Sequence, residues 1–251
     1  MNKLNKLLLT CIPVIGLAAC GGGDTEDRLD VADPVVRFVH ASPIAPNLTL
    51  YRGTAAQSDV TNVPYTFASN YFDVDMGVAD WAVKTATGAT TLGTVSIDPA
   101  RGTKYTIVAL PASDTASSSY LIVDPYNKSL TSESTHLRVM NASFNAANID
   151  LYMNAVGTDI TTVGVNPLIG ATAYKTSGPA SGSDSTDIPG STYQLTITSA
   201  GTKTILFRGQ LTFANNKDIL LLSVPDSVLP GGIKVLVKTE GVAGTTAVPA
   251  N

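Results

Sequence analysis

VRFVHASPIAPNLTLY, from Val36 to Tyr51, recurs as LRVMNASFNAANIDLY from Leu137 to Tyr152. Each residue of the second stretch lies 101 positions after its counterpart in the first, without a gap. The copies share an arginine, a central Ala-Ser pair, a later alanine and asparagine, and a closing Leu-Tyr. The chain is therefore a tandem repeat, and about 100 residues per copy are enough for a separate hydrophobic core.

Comparison of the two copies predicts which side chains face each core. Successive side chains of a β-strand point to opposite faces, so a position that is apolar in both copies marks the inner face. The inner positions predicted in this way are Val36/Leu137, Phe38/Val139, Leu48/Ile149 and Leu50/Leu151, and the outer ones are Arg37/Arg138 and Thr49/Asp150.

The composition and the hydrophobic period favour an all-β fold. Hydrophobic residues make up 44% of the chain and charged residues only 14%. Apolar residues recur with a period of two, and turn-forming residues interrupt the pattern about every ten residues. We expect two tandem immunoglobulin-like antiparallel β-sandwich domains after a lipoprotein signal peptide and a flexible tether. The strands expected in the first domain are 35–41, 48–52, 67–74, 80–86, 92–97, 104–110 and 120–123.

The N-terminus has the pattern of a secretory signal. Lys3 and Lys6 precede an apolar run that is too short to span a bilayer. The run ends in Leu17-Ala18-Ala19-Cys20, which resembles a bacterial lipobox and predicts lipidation of Cys20. An ordinary signal peptide that leaves a free thiol at Cys20 is the alternative. Gly21 in place of aspartate predicts, by resemblance to the Gram-negative sorting rule, a lipid-anchored protein of the outer membrane in the bacterial cell envelope.

The sequence divides into six parts. We predict a lipoprotein signal peptide at 1–19, a lipidated flexible tether at 20–34, β-sandwich domain 1 at 35–124, a linker at 125–135, β-sandwich domain 2 at 136–240 and a flexible tail at 241–251.

An insertion is expected in the second domain. Tyr174 lies 103 positions after Tyr71, whereas Gly190 lies 113 positions after Gly77. About ten residues are thus inserted within KTSGPASGSDSTDIP, which we expect to form an extended loop. Loops on a rigid sandwich often carry binding specificity, although many have no function. The binding candidates in this loop are Lys175, Ser181, Asp184 and Asp187.

The first repeat resembles a known bacterial family. VRFVHASPIAPNLTLY, Val63-Pro64-Tyr65, Ala68-Ser69-Asn70-Tyr71 and Lys104-Tyr105-Thr106-Ile107-Val108-Ala109 look like the bacterial domain of unknown function 4397. The resemblance covers residues 35–123 well and 137–238 less well. It implies extracytoplasmic β-sandwich domains, often on lipoproteins, with no established activity.

The residue inventory leaves few options for catalysis. Cys11 lies in the signal and Cys20 would carry lipid, so no disulfide or thiolate site is available. His40 and His136 are the only histidines, so we predict no catalytic residue, no metal site and no cofactor. We expect His40 and its counterpart Asn141 to fix the bend after the first strand through side-chain hydrogen bonds.

Two further features each have two interpretations. Asp73, Asp75 and Asp80 could bind calcium, although solvated residues at a sheet edge are the favoured interpretation. Trp81, the only tryptophan, could stack on a sugar, although a core position is favoured.

The function expected from the sequence is binding. We expect a non-enzymatic binding, adhesion or scaffolding lipoprotein, anchored to the membrane by its N-terminal lipid, whose partner is an envelope polysaccharide or protein. The alternative is an enzyme or accessory subunit that acts on envelope polysaccharide or peptidoglycan. The net charge of −4 and the scattered basic residues exclude a nucleic-acid surface. The oligomeric state is left open.

Overall fold

The computed structural model describes residues 32–125, 133–226 and 231–251. The predicted signal peptide, the site of lipidation and nearly all of the tether lie outside these residues. The strands of domain 1 are β1 (Val35–His40), β2 (Leu48–Arg52), β3 (Ala55–Ala56), β4 (Phe72–Asp73), β5 (Ala79–Thr85), β6 (Thr91–Ile97), β7 (Thr103–Pro111) and β8 (Ser117–Pro125).

Domain 2 repeats this succession with additions. Its strands are β9 (Ser134–Asn141), β10 (Asn148–Asn154), β11 (Ile169–Ala173), β12 (Ser177–Gly178), β13 (Thr186–Pro189), β14 (Thr192–Ser199), β15 (Ile205–Thr212), β16 (Asp218–Pro225), β17 (Ile233–Thr239) and β18 (Thr246–Ala247). Apart from a single 3-10 turn at Ser58–Val60, the described residues form no helix. The prediction of an all-β fold is confirmed.

Each domain consists of two sheets. In domain 1 the sheets run β4-β1-β7-β8 and β3-β2-β5-β6, and in domain 2 they run β12-β9-β16-β17-β18, with β13 also on β9, and β11-β10-β14-β15. The pairing differs in one respect from the expected antiparallel pattern, because β1 pairs in parallel with β7 and β9 with β16. The first strand of each domain therefore lies inside its sheet, covered on both edges.

The predicted inner positions are confirmed. Val36, Phe38, Leu48 and Leu50 belong to the core of domain 1, and Leu137, Val139, Ile149 and Leu151 belong to the core of domain 2. Trp81 is fully buried in the first core, which confirms that it is a core residue.

A third apolar cluster joins the two domains. It combines Val39, Val108 and Leu110 of domain 1 with Met140, Leu220 and Leu222 of domain 2. The sheet that contains β1 thus packs on the sheet that contains β9, and the four sheets form one continuous stack. The faces of β1 and β9 that the sequence predicted as outer are consequently buried, with Arg37 5% and Arg138 3% exposed. The outer positions predicted on β2 and β10 are buried as well, since Thr49 is 1% and Asp150 6% exposed.

The structure corrects the position of the insertion. Lys175 N donates to Asn141 O as Thr66 N donates to His40 O, and both Thr66 and Lys175 have positive φ. Tyr174 is therefore the counterpart of Tyr65, not of Tyr71. Twenty-two positions separate Tyr152 from Tyr174, against fourteen between Tyr51 and Tyr65, so most of the inserted residues lie before Tyr174.

The C-terminal segment is packed, which corrects the prediction of a flexible tail at 241–251. β18 pairs with β17, and Val248 is buried in the core of domain 2. Backbone bonds from Gly244 N to Ala68 O and from Thr245 N to Thr66 O attach the same segment to domain 1. Alternation of small and apolar side chains over a few residues is too short a pattern to predict this pairing.

Candidate functional site

An open cleft lies at the end of domain 1 where β1 begins, which we call the base. One part, of about 370 Å³, is lined by Asp33, Arg52, Gln57, Asp73, Val74, Asp75 and Met76. A second part, of about 220 Å³, shares Asp33 and Asp73 and continues to Tyr71, Lys104 and Glu240. Glu240 follows β17, so both domains contribute to the wall of the base cleft.

Carboxylates outnumber cations in the base cleft. Asp33, Asp73, Asp75 and Glu240 line it, against Arg52 and Lys104. Arg52 donates to Asp75 O at 2.7 Å, and its guanidinium lies 3.5 Å from the Asp75 carboxylate. The Asp75 side chain is nevertheless 97% exposed. Asp33 in turn lies 3.4 Å from the guanidinium of Arg101, so three of the four carboxylates have a cationic partner and the net negative charge of the cleft is small.

Exposed apolar side chains flank these carboxylates. Met76 is 56% and Val78 is 70% exposed, on the turn between β4 and β5. Gly77, with φ of +111°, lies between them and allows the tight turn that holds both side chains outward. The rim of the base cleft thus offers both negative charge and apolar surface.

The inner end of the cleft is a buried ion-pair network between the domains. Lys104 Nζ donates to Asp218 Oδ2 at 3.0 Å and to Glu240 Oε1 at 2.6 Å. Burial lowers the pKa of Lys104, but the attraction of Asp218 and Glu240 outweighs it and the pKa lies above its usual value. Lys104 is therefore fully charged at neutral pH and anchors the two domains to each other.

Two more cations lie beside this network. The Arg37 guanidinium lies 4.7 Å from the centre of the Tyr71 ring, and its Nε donates to Thr106 Oγ1 at 2.8 Å. Burial, with the positive charge of Arg37 nearby, lowers the pKa of Lys238 to about 8. Burial also raises the pKa of the Tyr71 hydroxyl.

The segment 175–189, which follows Tyr174, does not form the expected extended loop. Strands β12 and β13 pair with β9, and Ser181 reaches the other domain, where its Oγ accepts a bond from Val123 N at 2.8 Å. Arg138 donates to Pro179 O, Ala180 O and Ser183 O, and its guanidinium pairs with Asp124 at 3.1 Å. Residues 178–185 therefore form a strap between the domains.

The four binding candidates of this segment do not converge. Ser181 is engaged with β8, and Asp187 accepts a 2.5 Å bond from His136 Nδ1. Lys175 Nζ lies 5.7 Å from the centre of the Tyr174 ring, and Asp184 is exposed on the strap. Their role in binding a partner stays a prediction.

The proposed calcium ligands are not assembled into a site. Within residues 32–125, 133–226 and 231–251, no group of three His, Cys, Asp or Glu side chains could hold a metal ion. Asp73 and Asp75 border the base cleft, and Asp80 is an exposed residue of β5.

The histidines have structural roles. His40 Nε2 donates to Pro46 O at 3.1 Å and Nδ1 accepts from Ser42 N, while Asn141 donates to Ala146 O and accepts from Ser143 N. The predicted role of this pair in the bend is confirmed. Burial lowers the pKa of His40, which is neutral at physiological pH. Neither His40 nor His136 adjoins the base cleft, so neither supplies it with a general base.

Sequence reasoning missed Lys104, Asp218 and Glu240 as a group. Lys104 and Asp218 are counterparts, because they pair in parallel with Val35 and His136, which are equivalent positions of the first strands. The opposite charges of these two equivalent positions in the repeat were the sequence signal that could have predicted the ion pair. β7 and β16 are, in addition, nearly continuous apolar runs, which is typical of strands buried on both faces.

The described residues form a β-sandwich protein with an open, partly charged cleft at its base. Residues 34–152 match the family described as "Domain of unknown function (DUF4397)", and the match spans domain 1 and ends within β10 of domain 2. A comparison with curated proteins found no match. None of the described residues lies in a helix long and apolar enough to cross a membrane.

Two solved structures show a weak similarity. One is from a study of α-glucan recognition by family 41 carbohydrate-binding modules from streptococcal virulence factors, at 11% identity and a TM-score of 0.26, over 78% of this chain and 94% of that one. The other is a family 26 module of Eubacterium rectale Amy13K with maltoheptaose, at 9% identity and a TM-score of 0.23, over 85% and 96%. TM-scores this low do not establish a common topology, and the glucan ligands are not transferred to this chain.

Proposed function

We propose that the protein is a non-enzymatic binding module of the bacterial cell envelope, anchored to the outer membrane by lipid on Cys20. In this proposal domain 2 is a diverged copy of the same family as domain 1. The support is the lipobox-like sequence Leu17-Ala18-Ala19-Cys20 and the repetition of sheet order in the two domains. The base cleft is the ligand site.

The ligand class proposed for the base cleft is a basic, extended segment of an envelope protein. The observation that carries this is the excess of carboxylates at the cleft, beside exposed Met76 and Val78. The carboxylates are Asp33, Asp73, Asp75 and Glu240, and the cations are Arg52, Lys104 and Arg101. Charge complementarity of this kind provides specificity and a faster association rate.

A polysaccharide ligand fits the base cleft less well. Sugar binding through stacking needs an exposed aromatic ring, and Trp81 is fully buried. Among the described residues, the large hydrophobic side chains that are exposed include no aromatic one. The apolar contact at the cleft comes instead from Met76 and Val78, which suit the aliphatic stems of lysine and arginine.

The test compares defined probes on matched variants. Fluorescence anisotropy with a peptide of alternating lysine and valine should show binding that weakens between 50 mM and 200 mM salt, because exposed charges are screened over about 10 Å. Asp73→Asn should weaken binding, whereas Asp114→Asn, at the opposite end of domain 1, should not. Equal effects of the two variants, or retention on insoluble envelope polysaccharide with no peptide binding, would contradict the proposal.

The anchor has a separate test. Mass spectrometry of the mature protein should find a diacylglyceryl group on Cys20 as the first residue, and Cys20→Ser should move the protein from the membrane to the soluble fraction. An unmodified N-terminus elsewhere would remove the anchor and leave the peptide result unaffected.

A further inference from the structure

A second groove lies in domain 2, along the seam between its two sheets. It has a volume of about 350 Å³, and its floor is formed by Leu211, Phe213, Ile219, Val237 and Val248. Such a volume and an apolar lining with few polar groups are typical of small-molecule sites. The seam groove is separate from the base cleft and shares no lining residue with it.

The corresponding seam of domain 1 is closed where β6 meets β8. There the equivalent strands β6 and β8 approach so closely that a Cβ on Gly93 would lie 2.6 Å from Ser119 N. In domain 2 the C-terminal segment enters this seam: β18 pairs with β17, and Ala250 forms a bridge with Gly209 of β15. The segment holds the two sheets apart and supplies one wall of the groove.

One cation lines the mouth of the seam groove. Lys217 is exposed, and the other polar groups of the lining are the hydroxyls of Thr212, Thr239 and Thr246. The adjacent carboxylate of Asp218 is bound by Lys104. An apolar channel with an ammonium group at its entrance matches a ligand with one hydrocarbon chain and one anionic group.

We propose that the seam groove of domain 2 binds an anionic single-chain amphiphile of the fatty-acid type. The hydrocarbon chain lies on Phe213, Ile219 and Val248, and the carboxylate pairs with Lys217. This inference does not rest on the base cleft or on its ligand.

The test uses a series of alkanoates of increasing length, titrated calorimetrically into the full chain with Cys20→Ser, so that no attached acyl chain competes. Affinity should rise about fourfold for each added methylene, the equivalent of about 0.8 kcal/mol per buried group, until the groove is filled. Alkylammonium ions of the same length should bind more weakly.

Three variants identify the site. Lys217→Met should weaken dodecanoate binding about two- to fivefold, which is the range for an exposed ion pair, and leave dodecanol binding unchanged. Thr246→Phe places a ring in the groove from an exposed position and should abolish binding of both. Lys84→Met, an equal charge change in domain 1, should have no effect. Absence of binding, an affinity independent of chain length, or equal losses for Lys217→Met and Lys84→Met would overturn the proposal.

Discussion

Replacement of Arg138 by methionine should destabilise the protein far more than the same replacement of its counterpart Arg37. Both guanidinium groups are buried between the domains. Each has one nitrogen without a hydrogen-bond partner, Nε of Arg138 and Nη1 of Arg37. Arg138 nevertheless donates to three carbonyl groups of the strap and to Asp124, whereas Arg37 donates to Thr106. Methionine keeps much of the aliphatic packing in both cases, so the comparison isolates the hydrogen bonds.

The magnitudes follow from what each variant leaves behind. Arg138→Met leaves a carboxylate and several carbonyls without their donor, a loss of about 3–5 kcal/mol. Arg37→Met removes one hydrogen bond and an unpartnered buried donor together, and should cost about 1 kcal/mol. Urea denaturation of both variants measures the difference, and faster proteolysis within residues 178–185 should accompany Arg138→Met alone. Equal losses of stability, or a larger loss for Arg37→Met, would refute the assignment of Arg138 as the anchor of the strap.

Three further predictions concern single sites. Folding lowers the pKa of Lys238 from 10.5 to about 8, so between these pH values the folded chain binds fewer protons than the unfolded one. The free energy of unfolding should therefore rise from pH 8 to 9.5, and Lys238→Met should remove this rise. Folding also lowers the pKa of His40 from 6.5, so the free energy of unfolding should fall as the pH drops below 6.5. The variant His40→Asn, which introduces the residue found at the equivalent position 141, should abolish this loss. An unchanged acid dependence in the variant would contradict the role of His40. Gly93→Ala should cost about 1–3 kcal/mol in thermal or urea unfolding, because the added methyl overlaps Ser119, whereas Gly170→Ala has room and should cost less.

Much of the first domain was predictable because its signals are local. The burial of Val36 and Phe38 follows from the strand period alone, because every second side chain of a strand faces the core. Strand β2 also begins and ends where the sequence predicts. The hydrogen bonds of His40 and Asn141 were equally accessible, since they satisfy backbone groups within six residues.

The remaining features depend on contacts that are distant in sequence. An arginine on the outer face of a strand indicates solvent in a single sandwich, and only the packing of a second domain buries Arg37. The insertion was misplaced because Tyr174 aligns by residue type with Tyr71 as well as with Tyr65. Only the shared backbone bonds and the positive φ of Thr66 and Lys175 distinguish the two alignments. The base cleft combines residues from the start of domain 1 with Glu240, and no local pattern connects them.

The Lys104–Asp218 pair has a consequence for the history of the repeat. The two residues are counterparts that meet across the interface, so two identical copies of domain 1 joined in the same way would place lysine against lysine. The difference in charge between the two copies therefore favours the pairing of domain 1 with domain 2 over the pairing of two copies of domain 1.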